Sequence, residues 1–225
     1  GINHGDPITG SHAAGVLMAA LRHRRKTGKG MFIDVSQQES SVSLMGPEVL
    51  AYQMTGQEPE RQGNRSGWYA PANSYPCAGE DRWVTIAAIS EEQWQNLAKA
   101  MDAAGLADDP KFATLEKRRD NHDELDRIIG EWTAGQEAYA VTEKLQKAGV
   151  ASGPVLRGPD LLADAHYKDR GTFVTVDHPQ VGVKQYPGIP WRMSATPGQV
   201  RWPSPTLGQH NREIYSELLG LTGIE

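Results

Sequence analysis

The residue of this sequence best placed to do chemistry is Asp6, in Gly5-Asp6-Pro7-Ile8-Thr9-Gly10. It stands immediately before a long apolar-periodic run. Glycines at 5 and 10 remove side-chain bulk around it, so a ligand can approach the carboxylate. A helix N-terminus favours negative charge, typically by about 0.3–1 kcal/mol. A nucleophilic carboxylate needs such help, because a site dry enough for acyl chemistry disfavours the charged form. Pattern alone leaves a second role open: just before Pro7, Asp6 is placed to cap the orphan N–H groups of a first helical turn.

The second candidate is Arg61-Gln62-Gly63-Asn64-Arg65-Ser66-Gly67-Trp68. Glycines let backbone N–H groups face a ligand, as in an oxyanion hole or a flexible lid. Composition alone describes an ordinary surface loop equally well. The stretch is neither GxGxxG after a strand nor GxxxxGK[ST], so dinucleotide and P-loop readings fail. His210 could serve as a general base, or cap the last helix together with Asn211. His178-Pro179 reads as a turn, His166 as part of a helix face, and Cys77 as an inert packed thiol. His4 and His12 flank Asp6. The histidines form no HxxxH or HExxH pair and there is one cysteine, which leaves no basis for a metal site or a disulfide framework.

These residues must be positioned by regular elements. Apolar residues at spacings of three and four predict a helix from Pro7 to about Thr27, stopped by Gly28. A short strand is expected at Phe32–Ser36, then a helix over 37–54 bent at Gly46-Pro47. From Gly56 to Arg82 the chain is rich in Gly, Pro and Asn and lacks periodicity. A strand follows at 83–88, and a helix capped by Ser90 runs to about Ala103. Helices are expected near 123–133, 138–148 and 159–168, and a short strand at 150–156. Segments 173–177 and 183–193 alternate as an antiparallel pair. Prolines at 190, 197, 203 and 205 force an extended crossing before a last helix at 212–219.

The 225 residues suffice for one large domain or two small ones, and 38% are hydrophobic. The net charge of −5, with dispersed Lys and Arg, excludes a nucleic-acid field. The one dense basic stretch, 22–26, lies at a predicted helix C-terminus, where cations oppose the dipole. No apolar run reaches about 18 residues, so no membrane span is expected. The lone cysteine and the lack of a signal peptide ahead of the first helix fit a cytoplasmic protein.

Several blocks together go further. Gly5-Asp6-Pro7-Ile8-Thr9-Gly10, Ala19-Ala20-Leu21, Arg25-Lys26-Thr27-Gly28-Lys29-Gly30 and Ile33-Asp34-Val35-Ser36 resemble the class III CoA-transferase family. So do Arg61-Gln62-Gly63-Asn64, Tyr75-Pro76-Cys77, Trp83-Val84-Thr85-Ile86-Ala87, Ala148-Gly149-Val150 with Gly153-Pro154-Val155, and Leu207-Gly208-Gln209-His210-Asn211. The most specific is the Arg-x-Thr-Gly-x-Gly…Asp-Val-Ser block, and the resemblance covers nearly the whole chain. It implies that Asp6 is the catalytic carboxylate. Asp6 would attack an acyl-CoA thioester to give a mixed anhydride, and returning CoA thiolate would give an aspartyl-CoA thioester. The acceptor acid would attack that, and a second anhydride would pass CoA to the acceptor. Gly63, Asn64 and Gly67 would belong to a loop shielding these intermediates from water, although Asn64, Arg65 and Ser66 depart from an all-glycine version.

The resemblance also implies an α/β fold. Relatives carry a long stretch before this aspartate, with a Rossmann-like half and much of the CoA site. The expectation is therefore the C-terminal portion of such a fold, the rest lying in a longer polypeptide or a partner chain. Residues 1–56 would be a segment of the large Rossmann-like domain, 57–160 a small α+β domain with an antiparallel sheet, and 161–225 a return segment with the C-terminal helix. The implied substrates are a coenzyme A thioester and a carboxylic acid, with no permanently bound cofactor, in an interlocked homodimer. Two alternatives stay open: an α-methylacyl-CoA racemase-type isomerase using Asp6 as acid and base, and a non-catalytic half that completes a partner chain.

Overall fold

The structure, a computed structural model, describes residues 3–222, and the chain divides into two compact units, 1–63 and 64–225.

In the first unit, helix α1 spans Gly5–Thr27. It stops where Gly28 turns left-handed (φ 71°) and donates its N–H to the Arg24 carbonyl, a C-cap only glycine accepts without strain. Helix α2 (Gln37–Val42) starts at Ser36, whose hydroxyl accepts from the Glu39 N–H. A 3-10 turn at Ser43–Met45 separates it from α3 (Gly46–Thr55), so the interruption expected at Gly46-Pro47 is present. The segment expected as a strand, 32–36, has no regular secondary structure and joins no ladder among the described residues. A strand needs a partner for its N–H and C=O groups, and none pairs with this segment among the described residues. Phe32 is accordingly 91% exposed, and Met18, Leu44, Leu50 and Met54 are also open to solvent.

The second unit has a packed core. Strands β1 (Ala72–Pro76), β2 (Trp83–Ala87) and β3 (Ala151–Pro154) form an antiparallel sheet in that order, with Ser74 opposite Thr85 and Thr85 opposite Gly153. Along β2, Val84 and Ile86 are buried while Trp83 and Thr85 face out, the period-two signature of a half-covered sheet. Helices α4 (Glu91–Ala100), α5 (Leu115–Asp120), α6 (His122–Ala134) and α7 (Ala138–Lys147) surround the buried face. Leu125 and Ile129 of α6, and Val141 and Leu145 of α7, lie one turn apart and meet Tyr75, Trp94 and Phe112 in one cluster. The chain continues through α8 (Gly158–Ala163), α9 (Ala165–Arg170), the hairpin β4 (Phe173–His178) and β5 (Gly182–Pro187), and a π-helical turn at Arg212–Leu218.

Several boundaries differ from expectation. Strand β1 lies inside the stretch expected to be irregular. The helix expected over 159–168 is two helices, because the Asp164 carboxylate caps a new one by accepting from the Tyr167 N–H. The second hairpin strand ends at Pro187 rather than near 193.

Candidate functional site

Asp6 lies in the first turn of α1, which begins one residue ahead of it at Gly5. The expected cap role is not realised. His4 occupies the cap position without a side-chain bond, and the Asp6 carboxylate turns to a neighbouring helix. The Gln37 side-chain amide donates to Asp6 Oδ1 at 2.5 Å. Gln37 is the first residue of α2, which the Ser36 cap orients. Gly5 makes this approach possible, since a Cβ there would sit 2.7 Å from Gln37 Nε2 and 3.1 Å from its Cδ. Asp6 itself is exposed and open to a ligand. Among the described residues no hydrogen bond joins His4 or His12 to it.

The loop of the second candidate begins at Gly63, whose φ of 63° suits glycine. Arg65 then fastens it to α6. Its Nε and Nη2 both donate to Asp126 Oδ2, at 3.0 and 2.8 Å, and Nη2 also meets Asp123 Oδ1 at 2.6 Å. Asp126 gathers two further donors, Asn73 Nδ2 on Oδ2 at 3.0 Å and the Tyr75 hydroxyl on Oδ1 at 2.8 Å. At the other end, the Arg118 Nε donates to the Ala70 carbonyl at 2.7 Å. The strap between these anchors carries Trp68, 85% exposed. It borders an open cleft of about 740 Å³ lined by Asn64, Gly67, Trp68, Thr85 and Ser152 among others. Asn64 and Gly67 thus meet at one cleft, whereas Asp6 and Gly63 belong to the first unit.

The electrostatics around the strap follow from burial. The Tyr75 hydroxyl is pushed far up, first by burial and then by the Asp126 charge, and remains a donor. Burial pushes His122 down, Arg65 and Arg119 add to this, and Asp126 opposes it. The His122 Nε2 is enclosed without a partner among the described residues. Burial raises the Cys77 thiol, with Glu137 adding to it, as befits an inert packed side chain.

His178 Nδ1 accepts from the Gln180 N–H in its turn, and neither His210 nor Asn211 makes a side-chain cap for the last turn. Among the described residues no three His, Cys, Asp or Glu side chains gather as for a metal ion, and no helix is long and apolar enough to cross a membrane.

Gln37, Asn73 and Asp126 do not stand out in the sequence, and Arg65 and Tyr75 appear there only within longer motifs, without the roles found here. One signal was present: Asp123 and Asp126, three apart on a helix, offer two carboxylates to one cation. The partner Arg65, 58 and 61 residues away, was not readable from that spacing.

The sequence matches the model of CoA-transferase family III over residues 1–211. It is 37% identical over 222 residues to a succinyl-CoA–D-citramalate CoA-transferase of Chloroflexus aurantiacus, covering 99% of this chain and 55% of that protein. It is 32% identical over 236 residues to a formyl-CoA:oxalate CoA-transferase of Streptomyces avermitilis, covering 98% and 57%. The crystal structure of a CAIB/BAIF family protein from Brucella suis superposes with a TM-score of 0.82 at 28% identity, covering 97% of this chain and 56% of that one. The chain spans about half the length of the curated relatives it matches.

Proposed function

Because this chain belongs to CoA-transferase family III, we propose that it takes part in moving coenzyme A from an acyl-CoA to a carboxylic acid, with Asp6 as the nucleophile. The observation that carries this reading is the family match over residues 1–211, together with an exposed carboxylate on the first turn of α1. Relatives named for succinyl-CoA and formyl-CoA support a short acyl donor. Their names as transferases favour transfer over racemisation.

In the proposed reaction one Asp6 oxygen attacks the thioester carbon, the C–S bond breaks, and CoA thiolate leaves a mixed anhydride behind. Thiolate then attacks Asp6 Cγ, the donor acid departs, and an aspartyl-CoA thioester remains. The acceptor carboxylate reverses these steps onto itself: it displaces CoA from Asp6 Cγ, and the thiolate attacks the acceptor carbon to free Asp6. Water would hydrolyse each intermediate, and the Gly63–Gly67 loop, with Asn64, is proposed to exclude it. An interlocked homodimer, a cytoplasmic setting and the three-part layout at 1–56, 57–160 and 161–225 belong to the same proposal.

The test is transfer of CoA from succinyl-CoA and formyl-CoA to a panel of labelled acids by the natural full-length polypeptide. Asp6→Ala is expected to reduce transfer to background while CoA binding persists. Undiminished transfer by Asp6→Ala rules the nucleophile out.

A further inference from the structure

The geometry points to Gln37 as the oxyanion donor for the two steps that occur at Asp6 Cγ, an assignment that rests on the nucleophile reading of Asp6. Three observations carry it. The Gln37 amide reaches Asp6 Oδ1 at 2.5 Å. Only its nitrogen end can face a carboxylate, since the oxygen end would oppose it. The second carboxylate oxygen, Oδ2, accepts from no side chain among the described residues, and so is free to attack.

That asymmetry divides the labour between the two oxygens. Oδ2 forms the bond to the donor acyl carbon as the C–S bond breaks, and Oδ1 becomes the carbonyl oxygen of the aspartyl half of the anhydride. When thiolate sulfur attacks Cγ, the π electrons of the Cγ=Oδ1 bond move onto Oδ1. The negative charge forms where Gln37 Nε2 already points. Collapse restores the carbonyl, breaks the Cγ–Oδ2 bond, and releases the donor acid with Oδ2 as one of its carboxylate oxygens. Attack by the acceptor carboxylate on the aspartyl-CoA thioester places charge on Oδ1 a second time, and thiolate leaves. No proton is consumed in either step, so a fixed donor, rather than an acid, is what the chemistry needs.

Gly5 is the second part of the device. A Cβ at that position would overlap Gln37 Nε2 at 2.7 Å, and the long glutamine side chain would yield before the helix did. Gly5→Ala therefore withdraws the donor without touching Asp6 or Gln37 chemically. The Ser36 cap holds the start of α2 in either case.

The experiment mixes the natural full-length polypeptide with succinyl-CoA in the absence of acceptor, quenches it at intervals, and weighs the intact protein. Wild type is expected to gain a CoA adduct at Asp6. In Gln37→Ala that adduct forms about 10²–10³ times more slowly, the loss typical of one oxyanion donor, and an acyl adduct without CoA accumulates in its place. With an acceptor acid present kcat falls and KM for the donor does not rise, and Gly5→Ala shows the same pattern. A CoA adduct forming in Gln37→Ala at the wild-type rate overturns the role of Gln37 and leaves the nucleophile standing. Absence of any adduct on wild-type Asp6 overturns both.

Discussion

Arg65 and Asp126 are joined through two nitrogens on one oxygen, Nε at 3.0 Å and Nη2 at 2.8 Å, across 61 residues of sequence. With Asn73 and Tyr75 also donating, the Asp126 carboxylate accepts four hydrogen bonds, about all it can. Three of the four fall on Oδ2 and one on Oδ1. Their effect is to tie the strap, β1 and α6 together.

Replacing Asp126 by Ala strands the Tyr75 hydroxyl and the Asn73 amide and leaves Arg65 only its bond to the exposed Asp123. The expected cost is about 1–3 kcal/mol, the range for leaving part-buried polar groups unpaired. Arg65→Ala removes a one-third-exposed partner and is expected to cost less, about 1 kcal/mol. In both variants hydrogen exchange should speed up over residues 64–69 while the centre of α6 stays protected. Thermal unfolding and exchange mass spectrometry check this, and unchanged exchange in the strap contradicts the anchor.

Arg118 is expected to be the costliest charged residue to remove. Its side chain is 2% exposed, lies over the Trp94 ring, and donates to the Ala70 and Phe112 carbonyls and to Glu91. Glu91 is 57% exposed and can be hydrated, so the loss comes from two stranded carbonyls and a cavity. Arg118→Ala should cost about 2–4 kcal/mol. Lys is not expected to rescue it, because one ammonium cannot reproduce the guanidinium fork. Urea midpoints of the three proteins decide the point.

Acid stability should depend on His122. Its folded-state value lies below the ordinary one of about 6.5, so the unfolded chain takes up the proton first. The contribution is present above pH ~6.5 and lost as pH falls below it. Asp123, Asp126, Arg65 and Arg119 all act on this ring. His122→Asn should flatten the stability profile as pH falls below about 6.5. An unchanged profile would falsify the assignment.

Alkaline stability should depend on Tyr75. Its hydroxyl is held protonated in the folded state, so its contribution is complete below the ordinary value of about 10 and declines above it. Tyr75→Phe loses one donor to Asp126, worth about 0.5–1.5 kcal/mol at neutral pH, and should remove part of the decline above about pH 10. Equal alkaline slopes in the two proteins contradict this.

What was legible in the sequence was local. Ser90, Gly28 and Gly149 mark helix ends by chemistry that acts within a few residues, and each sits at an observed boundary. Strand β1 was missed because Ala72-Asn73-Ser74 has poor intrinsic strand preference and is held extended by pairing with β2. Phe32–Ser36 shows the converse: good strand residues form no ladder where no partner pairs with them among the described residues. The break at Asp164 reflects a side chain that bonds its own backbone more readily than it continues a helix. At the candidate site, Asp6 stood out through its glycine and proline neighbours. Gln37 did not, because its contact with Asp6 spans 31 residues and needs two helices to be folded together.

The most direct measurement is a hydroxylamine quench of the natural full-length polypeptide during turnover with succinyl-CoA, followed by peptide mass spectrometry. A hydroxamate on Asp6, absent without donor, is the predicted result. Hydroxamate on another carboxylate, or none while CoA transfer proceeds, would contradict a covalent role for Asp6.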